Sequence, residues 1–491
     1  LNYQGKEQGL KQQHSDSFLW HDYETWGVNP AVNGPAQFAA IRTDLHFNPI
    51  GEPIMLYCKP PRDALPQPQA CMITGISPQL AEQQGLIEAA FIADIHQAMM
   101  QPKTCSVGYN SIRFDDEVTR FALYRNFYDA YEREWRNGNS RWDLIDVVRL
   151  CAALRPEGIN WPVNDEGLPS FRLEAITAAN NIEHQGAHDA LVDVRATIAV
   201  AQLIQEKQPK LFDYALSMKN KRTVSDLLAV GSKKPLFHVS GMFGNANHCA
   251  SLVLPLCEHP TNKNAVVCFD LRYSPAIFLT LSAEEIQQRL FTKSDALAEE
   301  ERIPLKNIHL NKSPMVAPVS MVDVATAQRI GMDLAQMELH YAQLSDALNS
   351  QHIANIQEAF SQARPFAEEQ DVDTLLYGGG FFNDNDKRLM QQVRNSSAEQ
   401  LAEQTFNFDD ERLPEMLFRY RARNFPLSLN EKEQLRWRHH CFDRITQAGQ
   451  KGLISAEQYQ LQLEQLFEEH HMDEKKSQLL AYLMDWLDEV L

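Results

Sequence analysis

The stretch Ser17-Phe-Leu-Trp-His-Asp-Tyr-Glu-Thr25 reads as a buried β-strand that ends in acids. Side chains alternate along a strand, so Asp22 and Glu24 leave the same face, roughly 7 Å apart. Two carboxylates side by side at the end of an apolar run repel each other and are costly to desolvate. A divalent cation offsets that cost, and Mg²⁺ prefers one or two carboxylates together with substrate phosphate. The plainer reading of Asp-x-Glu is a strand end entering solvent. Further acids at suitable places decide between the two.

Outward from this strand, segments 39–43 and 53–58 read as further strands with 45–52 as the turn between them, an antiparallel meander. Ser77 and Pro78 open a helix as N-cap and first helical residue. A second helix is expected over 87–100, and a short strand over 104–110 breaks at Gly108. Strands alternating with helices after a meander indicate an α/β domain ending near Gln205. From 233 to 318, short β-like runs (235–239, 250–254, 265–271, 308–310) separated by Gly, Asn and Pro predict a small barrel or sheet. Beyond Asp323, amphipathic patterns over 325–348 and 351–363 predict helices, interrupted at Tyr377-Gly-Gly-Gly380 and then resumed.

A chain of 491 residues exceeds one ordinary core and fits roughly three domains. Its 44% apolar and 23% charged content is that of a globular protein. No run approaches the roughly 20 apolar residues of a membrane helix. The first residues form a polar leader without the apolar core of a signal peptide. The eight cysteines are scattered without a Cys-x-x-Cys pair, which argues against zinc or a disulfide framework and for a reducing cytoplasm. The net charge of -19 sits badly with nucleic-acid binding, because phosphate contacts need Lys and Arg. The distribution is uneven, however. Residues 464–491 carry eight acids, whereas 207–234 carry Lys207, Lys210, Lys219, Lys221, Arg222, Lys233 and Lys234 against Asp213 and Asp226. A basic strip on an acidic body confines a polyanion to one path.

Two more acids complete the pattern. Asp115 stands where a helix begins after the turn that follows Gly108; Asp116 and Glu117 suit a simple helix-dipole role, but Phe114 marks Asp115 as partly buried. In the helix after His188, Ala190, Val194, Thr197 and Ala201 form the face against the sheet, and Asp193 shares that side. An acid on a packing face is the informative observation, since charges are rarely buried unpaired. His188, five residues ahead of Asp193, reads either as a cap or as a catalyst.

Asp22-x-Glu24, Asp115 in Tyr-Asn-x-x-x-Phe-Asp, and His188-x-x-x-x-Asp193 resemble the four acids and histidine of the DEDD-type exonucleases. His-Asp-Tyr-Glu-Thr, Pro-Ala-Gln-Phe-Ala-Ala-Ile-Arg-Thr-Asp, Asn-Ser-Arg-Trp-Asp-Leu and Tyr-Arg-Ala-Arg-Asn-Phe-Pro resemble the bacterial exonuclease I family in particular, from Phe18 into the C-terminal helices. The resemblance implies an α/β, RNase H-like exonuclease domain with a mixed sheet, an SH3-like β-barrel and an all-helical C-terminal domain, together a C-shaped clamp. The corresponding division is a leader over 1–16, then 17–205, 206–363 with its basic lead-in, and 364–491. It also implies processive 3'→5' degradation of single-stranded DNA to 5'-mononucleotides in DNA repair and recombination, by a cytoplasmic monomer. Asp22, Glu24, Asp115 and Asp193 would hold two Mg²⁺ ions, with Mn²⁺ able to substitute, and His188 would take the proton of the attacking water. Arg172 and Glu24 would touch the substrate. The basic strip would receive the acidic C-terminal tail of single-stranded-DNA-binding protein.

Phe121, Tyr124, Tyr128, Tyr131 and Trp135 follow a 3-4-3-4 spacing, one stripe of a helix, with Phe121 and Tyr124 facing the core. Arg120, Arg125, Arg133, Arg136, Arg141 and Arg149 lie among or beyond them. Aromatic and guanidinium groups together bind single strands without sequence preference. In the family pattern Arg120, Tyr131, Trp135 and Arg149 match DNA-contacting positions. The rival readings are a related exoribonuclease and a non-catalytic single-strand-binding scaffold.

Overall fold

The computed structural model describes residues 15–186, 188–292, 296–298, 302–361, 371–447 and 452–491. Most of the polar leader, and the 363/364 boundary, lie outside the described residues. The first sheet contains β1 (Ser17–Thr25), β2 (Pro35–Thr43), β3 (Ile54–Tyr57), β4 (Thr104–Gly108) and β5 (Ser140–Asp143), in the order β3-β2-β1-β4-β5. β1 pairs antiparallel with β2 and parallel with β4, so the sheet is mixed as expected. Its central place explains its sequence: Phe18, Leu19 and Trp20 are all fully buried because both faces are covered.

The alternation then sorts the residues. Phe18 and Trp20 pack with Trp142 and with Ala190, Val194 and Ala201 of the Ala190–Lys207 helix. Leu19 and Tyr23 point the other way, onto Phe38, Phe91 and the Val118–Leu123 part of the Asp115–Arg125 helix. Asp22 and Glu24 continue the Phe18–Trp20 face, so the strand period aims both acids toward the helix that carries Asp193.

The second sheet contains β6 (Leu236–Val239), β7 (Ala250–Glu258), β8 (Ala265–Asp270), β9 (Leu305–His309) and β10 (Met315–Pro318), all antiparallel, in the order β10-β6-β7-β8-β9. The expected barrel is not closed by hydrogen bonds, because β9 and β10 are the two edges among the described strands. They are nevertheless joined only by residues 310–314, a link that spans at most about 18 Å, so the sheet must curl to bring its edges near one another. The long pattern over 325–348 is two helices, Val324–Arg329 and Leu334–Ala347, because Gly331 adopts φ +66° between them.

The C-terminal third is helical, with Arg412–Asn424, Glu431–Thr446, Ala456–His470 and Glu474–Val490 its longest elements. It is braced to the first domain through Asp63, whose carboxylate accepts from Arg423 (2.6 Å) and lies 3.6 Å from Arg444. Burial pushes the Asp63 carboxyl up, but the two guanidiniums and His440 outweigh it and hold the group well below the usual carboxylate range. The triple glycine has a packing cause. Arg412 donates to the carbonyls of Leu375 (3.0 Å) and Gly380 (2.7 Å), and a Cβ on Gly379 would fall on its guanidinium. All eight cysteines are buried free thiols. Among the described residues no helix is long and apolar enough to cross a membrane.

Candidate active site

The four acids arrive from three elements. Asp22 and Glu24 end β1, and Asp115 opens the Asp115–Arg125 helix, where its Oδ1 accepts the Tyr23 backbone N–H at 3.1 Å. Asp193 lies in the first turn of the Ala190–Lys207 helix. That turn is fixed by Asp189, whose side chain accepts from the N–H groups of Leu191 (3.0 Å) and Val192 (3.4 Å), and by Gln37 of β2, which accepts from the Ala190 N–H at 3.1 Å. Asp189 is therefore the cap, and the capping alternative for His188 falls away. Loss of an N-cap costs about 1 kcal/mol, so Asp189→Ala should lower unfolding stability by that amount in urea titration.

Ligand atoms of Glu24, His188 and Asp193 all lie within 4.8 Å of one another. His188 adopts φ +72°, and its backbone N–H donates to Asp193 Oδ2 at 3.3 Å. Asp22 and Asp115 stand outside that group of three, yet their charges reach it. Burial first, and then the charges of Asp115, Glu24 and Asp193, push the Asp22 carboxyl well above its ordinary range. Glu24 is raised to about 9 by burial and by Asp193 and Asp115. Asp115 is raised to about 8, chiefly by burial. The neighbours that act most strongly on Asp22 and Glu24 are thus all acidic, in contrast to Asp116, which Arg141 and Arg133 neutralise at 2.6 Å each.

A cleft of about 550 Å³ leads to the acids. Asp22 and Asp193 line it together with Tyr109, Arg149, Phe171 and Arg172, while Asn245 reaches in from the second sheet's domain. Arg172 is 79% exposed, and Arg149 is held by Asp146 at 2.7 Å. Both expected contacts therefore border the same cleft as the acids.

The aromatic stripe is not one helix. The helix stops at Arg125, Phe127 takes φ +63°, and Tyr131 and Trp135 belong to later short turns. Phe121 and Tyr124 face the core as expected. Trp135 is 66% exposed, and half-buried Tyr131 lies 5.2 Å below the Arg120 guanidinium. The reading of Arg120 as a strand contact needs correction. Its side chain is 6% exposed and already engaged by Glu117 (2.6 Å), Glu134 (2.8 Å) and Tyr377. Arg125, Arg133 and Arg141 are likewise committed to Glu88 and Asp116, so most of the apparent arginine path is internal ion pairing.

One residue of the site went unread in the sequence. His184 places Nε2 at 2.6 Å from Asp193 Oδ1. Its signal was the second histidine in His184-x-x-x-His188-x-x-x-x-Asp193, one turn's spacing before the first.

Three family models cover the chain: "Exonuclease" over residues 19–201, "Exonuclease I SH3-like domain" over 219–362 and "Exonuclease I C-terminal domain" over 370–490. The chain is 46% identical over 475 residues to Exodeoxyribonuclease I of Escherichia coli (strain K12), covering 97% of this chain and 98% of that one. It superposes on the crystal structure of E. coli Exonuclease I in complex with a dA16 oligonucleotide with a TM-score of 0.92, at 45% identity, over 97% of this chain and 100% of the other. The zinc-ion-bound form of the E. coli ExoI–ssDNA complex matches with a TM-score of 0.91, at 45% identity and the same coverage. Fold, acidic centre and full-length similarity agree, and the chain belongs to the exonuclease I family of nucleases.

Proposed function

We propose that this enzyme is a divalent-cation-dependent exodeoxyribonuclease that removes 5'-mononucleotides processively from the 3' end of single-stranded DNA. The observation that carries the reading is that Glu24, His188 and Asp193 meet within 4.8 Å of one another, that the charges of Asp22, Glu24, Asp115 and Asp193 act on one another, and that Asp22 and Asp193 line one cleft. Relatives whose crystals hold single-stranded DNA support the substrate class. The work implied is DNA repair and recombination, in the cytoplasm and as a monomer, with the chain divided over 17–205, 206–363 and 364–491.

The donor set fits a cation. Clustered carboxylates that destabilise one another are an oxygen-rich anionic site of the kind hard divalent ions take. Asp22, Glu24, Asp115 and Asp193 would hold two Mg²⁺, or Mn²⁺ in its place. When bound, the ions supply charge stabilisation to the scissile phosphate. Glu24 and Arg172 hold the terminal nucleotide, and Arg149 borders its path. Tyr131 and Trp135 give stacking surface upstream, worth about 1–3 kcal/mol per base. His188 accepts the proton of the water that attacks phosphorus; the bond to the upstream 3' oxygen breaks, that oxygen takes up a proton from solvent to become the new 3' hydroxyl, and the terminal nucleotide leaves with its 5'-phosphate. Incubating equal lengths of single-stranded DNA and RNA with and without Mg²⁺ tests the reading. Release of deoxymononucleotides with Mg²⁺ alone is expected; cation-independent release or a preference for RNA would contradict it.

Cation binding should also release protons. At pH 7 the raised Glu24 and Asp115 carboxyls hold protons in the cation-free protein, and a bound ion requires them ionised. Because these groups bind more protons folded than unfolded, their contribution to stability is fully present at acid pH, below their unfolded values. It is lost as pH rises through the folded values of about 8 and 9. The rise in melting temperature given by Mg²⁺ should therefore grow from pH 6 to pH 9. Calorimetry in buffers of different ionisation heat should count the protons released; none released would contradict the assignment.

We propose further that 207–234 receives the acidic tail of single-stranded-DNA-binding protein. Lys207, Lys210, Lys221, Arg222, Lys233 and Lys234 are exposed there, and Lys234 borders an apolar groove of about 750 Å³ lined by Leu227, Leu236 and Tyr341. A tail peptide should bind and weaken as salt is raised. Binding that ignores salt, or is absent at low salt, would count against it.

A further inference from the structure

We infer that His184 is a positioning residue that fixes the carboxylate plane of Asp193 for cation binding, an assignment that rests on the cation reading of the site. The Asp189 cap fixes the backbone of the helix's first turn but leaves the Asp193 carboxylate free to turn, since the terminal torsion of an Asp is broad and roughly two-fold. Two hydrogen bonds remove that freedom. His184 Nε2 lies 2.6 Å from Oδ1, and the His188 backbone N–H donates to Oδ2 at 3.3 Å. A carboxylate offers about four lone-pair positions on its two oxygens, so both contacts leave room for an ion on the side shared with Glu24 and His188.

The imidazole is itself locked. Its side chain is 6% exposed, and Nδ1 lies 3.0 Å from the Oγ1 of Thr177, a fully buried residue of the Leu173–Ala179 helix. An ionised carboxylate only accepts, which assigns the Nε2 proton to the Asp193 side; Nδ1 faces the Thr177 hydroxyl, which is itself anchored on the carbonyls of Leu173 and Glu174 at 3.0 Å each. Asp193–His184–Thr177 thus ties the acid to the helix that starts directly after Arg172. The same bonds separate the roles of the two histidines. His184 has both ring nitrogens within hydrogen-bond distance of Asp193 and Thr177, whereas a His188 ring nitrogen lies among the donor atoms of Glu24 and Asp193. Groups that orient a metal-holding side chain in this manner are typically worth 10–100-fold in metal affinity.

The test uses the full chain and Mn²⁺ alone, with free ion counted by electron paramagnetic resonance. A Gln amide nitrogen reaches the position of imidazole Nε2, while an Asn amide reaches only that of Nδ1. His184→Asn and His184→Ala should therefore lose about 10–100-fold in Mn²⁺ affinity, and His184→Gln no more than about threefold. The loss should appear in the Mn²⁺ concentration needed for half-maximal hydrolysis more than in the rate at saturating Mn²⁺. Gln and Asn variants that bind Mn²⁺ alike, whether both as wild type or both equally weakened, would overturn the assignment. Should the Asn and Ala proteins not fold, Thr177→Val removes only the hydroxyl behind the ring, and unchanged affinity there would overturn it too. A wild-type protein that binds no Mn²⁺ would instead overturn the cation reading, and the role of His184 with it.

Discussion

Asp193→Ala should lower hydrolysis of single-stranded DNA by on the order of 10³-fold or more while leaving strand binding nearly intact. An ion pair of carboxylate and cation at a reacting phosphate supplies several kcal/mol to the transition state, and each 1.36 kcal/mol is tenfold in rate. Asp22→Ala and Glu24→Ala should behave alike, because the four acids act as one set and their effects will not add. Binding is expected to survive because the proposed strand contacts are other residues, the exposed Trp135 and Arg172 and half-buried Tyr131 among them. Single-turnover rates and filter binding on the same variants separate the two quantities. Near-normal turnover in Asp193→Ala would remove this acid from the centre.

His188→Ala should slow hydrolysis by about 10²–10⁴-fold, the usual worth of a placed general base. A base works only in its neutral form, so the acidic limb of the wild-type rate profile should flatten in the variant, provided Mg²⁺ is kept saturating. Cation affinity should change little, since the acids are the proposed main donors. The placing of a His188 ring nitrogen within 4.8 Å of ligand atoms of Glu24 and Asp193 makes this a sharp test. A large loss of Mn²⁺ affinity with a normal saturated rate would make His188 a ligand rather than the base.

Local physics made much of this architecture legible in the sequence. β1 could be read because a strand covered on both faces is apolar throughout until its acids, and Ser77 because a cap followed by proline has few other uses. The places of Asp115 and Asp193 at helix starts are legible from the turn after Gly108 and from the period of one packing face. The errors arose where a long-range partner decided the outcome. Nothing near Arg120, Arg133 or Arg141 in sequence reveals that Glu134 and Asp116 will neutralise them in the interior. The aromatic stripe kept helical spacing across 121–135, but the left-handed turn at Phe127 broke it. Gly379 could not be explained before Arg412, from a later helix, was seen packed against it. His184 escaped notice because a histidine in a connecting segment has meaning only once Thr177 and Asp193 are known to flank it.

The most direct test of the central claim is digestion of a 5'-labelled single-stranded oligonucleotide, followed on a sequencing gel with and without Mg²⁺. The proposed chemistry predicts that the label shortens from the far end in Mg²⁺ and stays at full length in chelator. Immediate release of the label as a mononucleotide, or the same products without the cation, would contradict it.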